Sequence, residues 1–349
     1  MKRVSAVKII GSIGLVISML LNGCTTNSIT DNNVSGNDLT ATEVIRLMGN
    51  GINLGNTLEA YNHKSYVELG VDPTSFETLW GQPVTTRDMI DDMKAMGFDT
   101  LRIPVAWTNG INYESGDYTI DERLMNRVDE VVNYALDADM YVILNEHWDG
   151  SWWGMFGSAD EAVREKGMAL YKSMWTQISE HFSDYSYKLI FESANEELCH
   201  RLNDSDVTGT EGVLSEDECY ETTNRINSEF VKLVRSTGGK NADRFLLIAG
   251  YNTDFRKTCD DRYQMPEDTA KDKLLLSVHY YTPWDYCSDG NAKRWGTPGD
   301  YEEQNSLFQM LTKFTDLGYG VVIGEYAVMG AADKPDRDKF YANLLDNCD

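Results

Sequence analysis

Along the chain, short runs of consecutive apolar residues alternate with longer stretches in which apolar positions recur every three or four residues. The short runs are Gly51–Leu54, Thr100–Val105, Tyr141–Asn145, Lys188–Glu192, Phe245–Ala249, Leu274–Tyr280 and Gly320–Gly324. Most are continuous in Val, Ile, Leu and Phe, the pattern of strands buried on both faces of a parallel sheet. The longer stretches are Thr86–Met96, Asp121–Asp137, Asp160–His181, Glu216–Ser236, Glu302–Leu317 and Asp336–Leu345. Their periodicity predicts helices. Within the third, Met168, Tyr171, Trp175 and Ile178 share one face and read as core. The link from Gly250 to Lys273 has the weakest helical signal.

Repeated strand–helix units with near-continuous strands predict either a doubly wound sheet or a (β/α)8 TIM barrel. No GxGxxG follows the first strand, and no GxxxxGK[ST] occurs anywhere, so neither a dinucleotide nor a nucleoside triphosphate is indicated. No cofactor is expected, and the barrel is favoured. Only seven strands are visible. After Gly324 come one loop, Met329 to Pro335, and one helix before Asp349. The expected fold is therefore an α/β barrel lacking its eighth strand. Such a chain is expected to be incomplete, with the edges of strands one and seven unpaired, the alternative being that the N-terminal segment or a loop substitutes for the missing strand.

The beginning of the chain does not fit this pattern. Lys2, Arg3 and Lys8 precede an apolar run from Ile9 to Leu21, too short to span a membrane comfortably. It ends in Leu21-Asn22-Gly23-Cys24, which resembles a bacterial lipoprotein box. Residues 1–24 are expected to be an export signal with Cys24 as the lipidated residue. Asn22 departs from the usual small residue, and a plain secretory signal is the alternative. Residues 25–37 are polar and read as a linker, leaving 38–349 as the catalytic barrel. An exported protein, held on a bacterial membrane by lipid or secreted, meets an oxidising compartment. Five further cysteines remain, Cys199, Cys219, Cys259, Cys287 and Cys348. Cys199 with Cys219 and Cys259 with Cys287 are candidate pairs that spacing alone does not establish. The odd count leaves at least one without a partner. No CxxC or HxxxH cluster suggests a catalytic metal.

The formal charge is −25, which disfavours nucleic acid as a partner and suits a neutral or cationic ligand. The 19 Tyr, 11 Phe and 8 Trp are enough to fill a core and still offer rings to sugar faces. In a barrel the site lies at the C-terminal ends of the strands, and polar residues gather there. Arg102 lies in Leu-Arg-Ile-Pro, His147 in Asn-Glu-His-Trp, and Asn195 and Glu196 in Ser-Ala-Asn-Glu. His279 and Tyr281 lie in Val-His-Tyr-Tyr, and Glu325 in Ile-Gly-Glu-Tyr. One glutamate at a strand end is usually a solvated loop residue. Several polar residues at one barrel mouth indicate chemistry. Glu192 falls within the fourth strand and is expected to point into the barrel or toward a helix partner; it is assigned no chemistry. Trp107, Trp152, Trp153, Trp284 and Trp295 follow strands and are candidate sugar platforms.

These motifs resemble glycoside hydrolase family 5, the cellulase family. Gly51-Ile-Asn-Leu-Gly-Asn-Thr-Leu-Glu59 looks like its first strand, with Asn53 expected among the sugar contacts, and Trp80-Gly-Gln-Pro fits the segment before strand two. The Asn195-Glu196 pair is similar to its acid/base motif and Gly324-Glu325-Tyr326 to its nucleophile motif. The resemblance runs from about Leu39 to the C-terminus and is nearest the endo-β-1,4-glucanase and xyloglucanase subgroup. It implies a monomeric retaining enzyme acting on cellulose, xyloglucan or mixed-linkage β-glucan, with Glu325 as nucleophile and Glu196 as acid/base, the latter starting protonated. Arg102 and Tyr281 are expected to steady Glu325, and Asn195 to bind the 2-hydroxyl. His147 and His279 position sugar and carboxylates, and Trp152 and Trp284 are binding residues. Many relatives carry a second His where this chain has Trp148. A xylanase or mannanase shares the same catalytic residues. A surface glycan-binding lipoprotein without turnover would not need the glutamate pair.

Overall fold

The computed structural model describes residues 38–288, 292–330 and 333–348. The expected signal, Cys24 and linker lie outside the described residues. Seven strands form one parallel sheet in chain order. They are β1 (Gly51–Asn53), β2 (Thr100–Ile103), β3 (Tyr141–Asn145), β4 (Leu189–Glu192), β5 (Leu246–Ala249), β6 (Leu274–Tyr280) and β7 (Gly320–Tyr326). Every neighbouring pair is parallel. The strands curl into a nearly closed barrel wrapped by helices, a (β/α)8 TIM barrel with one strand fewer among the described residues. The ends of the sheet, β1 and β7, meet through a side chain, Asn53 Nδ2 donating to the Gly324 carbonyl at 2.9 Å.

Burial explains why these segments are continuous apolar runs: all residues of β2, β3, β4, β5 and β6 are buried. The helices add their apolar faces from outside. Helix Glu122–Asp137 presents Leu124, Val128, Val131, Val132 and Ala135. Tyr171, Trp175 and Ile178 of helix Glu161–His181 are wholly buried. Met168 packs at the margin of the same cluster. Trp175 meets Phe230 edge to face at 4.7 Å, joining two neighbouring helices. Deleting such a ring costs about 3–5 kcal/mol.

The structure differs from the sequence reading in several places. A helix at Ala41–Met48 precedes β1, started by a capping box of Thr40 and Glu43. It packs against the beginning of β7 so closely that a side chain at Gly320 would meet the Ala41 carbonyl at 2.7 Å. The stretch Glu302–Leu317 is two helices, Pro298–Met310 and Thr312–Thr315, with Thr297 capping the first and Pro298 opening it. Neither candidate disulfide forms: Cys199, Cys219, Cys259 and Cys287 are all thiols. The Cys199 thiol instead donates to the Glu196 carbonyl at 3.3 Å, and Cys259 to the Met310 carbonyl at 3.4 Å. Among the described residues, no helix is long and apolar enough to cross a membrane.

Candidate active site

The strand ends converge on Arg102. Its guanidinium is almost completely buried, and a buried charge must be paired on every side. Nε donates to Glu192 Oε2 at 2.7 Å. Nη1 donates to Glu325 Oε1 at 2.8 Å and to Asn53 Oδ1 at 3.0 Å. Nη2 donates to Asn195 Oδ1 at 3.0 Å. One side chain from β2 thus ties together residues from β1, β4, the loop after β4, and β7. Because Asn195 spends its oxygen on Arg102, its amide N–H groups are left for a ligand.

Glu325 reaches this cluster because β7 is bulged. The pairing runs Val278 with Ile323, then His279 with Glu325, so Gly324 is the extra residue. A bulge re-aims the following side chain, and here it sets Glu325 beside His279. Gly324 suits the position because a Cβ there would lie 3.0 Å from both His279 Nε2 and Ser277 Oγ. Tyr281 OH donates to Glu325 Oε2 at 2.9 Å. Burial alone would raise the Glu325 pKa, but His279, Arg102, His147 and the Tyr281 hydroxyl outweigh it and hold the carboxyl well below the usual range. Burial, then the charge of Glu325, push the Tyr281 hydroxyl far up, so it remains a donor.

His147 Nε2 stands 3.9 Å from Glu325 Oε1, while its Nδ1 lies 3.3 Å from the Asn145 amide. Burial, followed by Arg102, pushes His147 down to about 3. It is neutral at neutral pH, with Nδ1 accepting from Asn145 and the proton on Nε2 facing Glu325. Arg102 is therefore the permanent positive charge at this carboxylate. Across the mouth, Glu196 Oε1 is 2.9 Å from His279 Nδ1, and His279 Nδ1 is 3.7 Å from Glu325 Oε2. One ligand atom each from Glu196, His279 and Glu325 all lie within 4.8 Å of one another. Geometrically that trio is the best metal candidate, but Arg102 already supplies a cation at Glu325, which opposes a second.

All the polar residues expected at the strand ends come together. The tryptophans divide. Trp284 is 67% exposed and stands edge to face with Tyr281, ring centres 6.2 Å apart, next to the residue that bonds Glu325. Trp152 is 0% exposed, so the reading of it as a sugar platform is corrected. It stacks on Trp153 at 4.4 Å, and both indole N–H groups point at Glu146 Oε1, 3.4 and 3.3 Å away. The run Trp152–Gly157 is a 3₁₀ turn buried at every residue, so it belongs to the core beneath the loop. Trp107, Trp153 and Trp295 are buried as well.

Sequence reasoning missed three groups. Glu192 is wholly buried and accepts from Arg102, from Asn145 Nδ2 at 3.0 Å and from Ser277 Oγ at 2.6 Å. A glutamate inside an apolar strand needs such partners, and that was the available signal. Trp148 is half-exposed, with the Arg201 guanidinium 5.7 Å above its ring. It lines a cavity of about 510 Å³ with Tyr61, Asp149, Trp153, Glu197 and Arg201. Behind it, Glu146, Asp149 and Glu197 form a buried acidic group. Burial pushes Glu197 up to about 7, with the charge of Glu196 second. Asp149 rises to about 6 through burial.

Known proteins resemble this chain in sequence and in fold. Residues 64–347 match the model for cellulase (glycosyl hydrolase family 5). Endoglucanase A of Paenibacillus barcinonensis is 35% identical over 86% of this chain and 75% of its own length. A xyloglucan-specific endo-β-1,4-glucanase of Bacteroides ovatus is 33% identical over 85% of this chain and 59% of its own length. The structure of a broad-specificity endoglucanase of subgroup 4 from Ruminococcus champanellensis, with bound cellotriose, superposes with a TM-score of 0.75 at 32% identity. That match covers 89% of this chain and 86% of the other. The chain belongs to glycosyl hydrolase family 5, the cellulases.

Proposed function

We propose that this chain cleaves internal β-1,4-glucosidic bonds of β-glucans by double displacement, with retention of configuration. The observation that carries the reading is the pair Glu196 and Glu325, whose carboxylate oxygens approach within 4.8 Å around His279. Retaining enzymes place their two carboxyl groups roughly 5–5.5 Å apart, whereas inverting enzymes leave room for a water between them. Arg102 keeps Glu325 ionised, so it attacks the anomeric carbon. Glu196 gives its proton to the leaving oxygen and later takes one from the attacking water. Asn195 offers its amide to the 2-hydroxyl, a bond that strengthens as the transition state develops.

The glucan preference rests on the relatives, whose names are endoglucanase and xyloglucan-specific endoglucanase. Trp284, exposed beside Tyr281, offers a flat face for a glucose ring. The test is hydrolysis of carboxymethylcellulose, xyloglucan, mixed-linkage glucan, xylan and mannan by the purified protein. Release of cello-oligosaccharides or their branched counterparts supports the reading. Activity confined to xylan or mannan, or binding of glucans without cleavage, refutes it. We also propose, from the Leu21-Asn22-Gly23-Cys24 motif and the polar segment after it, that the enzyme is exported and held at the cell surface by lipid on Cys24.

A further inference from the structure

Glu192 takes no part in the double displacement, yet it is a wholly enclosed carboxylate beside the reacting groups. It is 0% exposed and pairs with the Arg102 guanidinium at 2.7 Å. Arg102 therefore stands between two carboxylates, Glu192 on Nε and Glu325 on Nη1. One of those carboxylates must give up its charge during the reaction. When Glu325 attacks, a bond forms from its carboxylate oxygen to the anomeric carbon and the glycosidic carbon–oxygen bond breaks. The leaving oxygen takes the Glu196 proton. The negative charge thus passes from Glu325 to Glu196, and Glu325 becomes a neutral ester. Without Glu192, that step would leave a buried guanidinium with no hydrogen-bonded counter-charge, an unfavourable arrangement.

Resting on the double-displacement reading above, we infer that Glu192 is a positioning residue that acts through Arg102. It is the fixed counter-charge that lets Glu325 surrender its own charge. The rest of its surroundings suit a fixed role. Asn145 Nδ2 and Ser277 Oγ hold its two oxygens from β3 and β6, so the carboxylate cannot turn to face a substrate. Removing its charge has opposite consequences for the two halves of the cycle. Formation of the glycosyl-enzyme then leaves Arg102 with no hydrogen-bonded carboxylate, so it slows. Hydrolysis of the glycosyl-enzyme restores the Glu325–Arg102 pair, so it quickens.

Glu192→Gln tests this, because Gln keeps the shape and can accept from Arg102 and Asn145 while donating to Ser277. The full-length protein is inactivated with 2-deoxy-2-fluoro-β-cellobiosyl fluoride, whose first step forms a slowly hydrolysed glycosyl-enzyme. Excess reagent is removed and the return of activity is followed. Relative to wild type, the variant should be inactivated more slowly and reactivated faster, each by roughly tenfold, since an unpaired buried charge is at stake. Glu192→Asp keeps the charge at a shorter reach and should move both rates the same way by less; it carries the test if the Gln variant does not fold. Slowing of both rates together, which a purely structural defect gives, or no change in either, overturns the inference. If the wild type is not inactivated at all, the double-displacement reading itself fails, and this inference with it.

Discussion

Arg102 Nη1 lies 2.8 Å from Glu325 Oε1 although the two residues are 223 positions apart in the chain. That contact is the reason Glu325, and not Glu196, is proposed as the nucleophile. Glu325 is held ionised by a buried permanent cation, and Tyr281 occupies its other oxygen as a donor. Glu196 touches neither Arg102 nor Tyr281. It faces His279 and keeps 29% of its side chain exposed, the access its proposed acid/base role requires.

The buried acids behind the site give the fold an unusual pH dependence. Glu197 titrates near 4.5 in an unfolded chain and is pushed up to about 7 in the fold. Between those values the folded state binds more protons than the unfolded one. Its contribution to stability is therefore present below pH 4.5 and lost as pH rises through about 7. The size is on the order of 1–3 kcal/mol. Melting temperatures from pH 5 to 8 should fall across this window, and Glu197→Gln should flatten the fall. A variant that melts with the wild-type slope removes Glu197 from the explanation. Glu325 works the other way: its pKa is depressed, so its contribution is lost only in stronger acid.

Two tryptophans that look alike in sequence should behave differently on truncation. Trp152→Ala empties a buried site and should cost about 3–5 kcal/mol of stability. Trp284→Ala removes an exposed ring and should change stability by about 0.5 kcal/mol or less. It should weaken cello-oligosaccharide binding roughly three- to tenfold, the worth of one stacked ring. Thermal melts and KM for cellotetraose read the two effects apart. An unchanged KM in the Trp284 variant means that ring is not a platform.

The proposed surface attachment depends on Cys24. Cys24→Ala should move the protein from the membrane fraction to the soluble fraction, because it removes the site of the proposed acyl chains. Recovery of the wild-type protein entirely in the medium contradicts lipid anchoring.

The sequence carried the barrel and most of the mouth because both depend on local pattern. β2 through β6 are apolar runs, and catalytic groups in such a fold sit where those runs end. What stayed hidden depends on direction and partnership. Glu192 reads as an ordinary strand residue until Arg102, 90 positions earlier, is seen beside it. Trp152 follows Gly150 and Ser151, which read as loop. Yet Trp-Trp-Gly-Met-Phe folds inward because its apolar side chains outweigh that turn signal. The bulge at Gly324 shows in sequence only as a glycine before a glutamate. The helix at Ala41–Met48 had a usable signal in Thr40 and Glu43, spaced as a capping box.

The division of labour proposed for Glu325 and Glu196 is read most directly from the configuration of an azide adduct. Glu325→Gly and Glu196→Gly should each lose at least ~10²–10⁴-fold in turnover of β-glucan. With an activated aryl β-cellobioside and sodium azide, the Glu325 variant lacks the nucleophile. Azide then attacks directly and should give α-cellobiosyl azide, the inverted product. The Glu196 variant still forms the glycosyl-enzyme, so azide should release β-cellobiosyl azide, the retained product. Proton NMR of the isolated azides separates the two anomers. The opposite assignment, β from the Glu325 variant and α from the Glu196 variant, would contradict the mechanism proposed for this site.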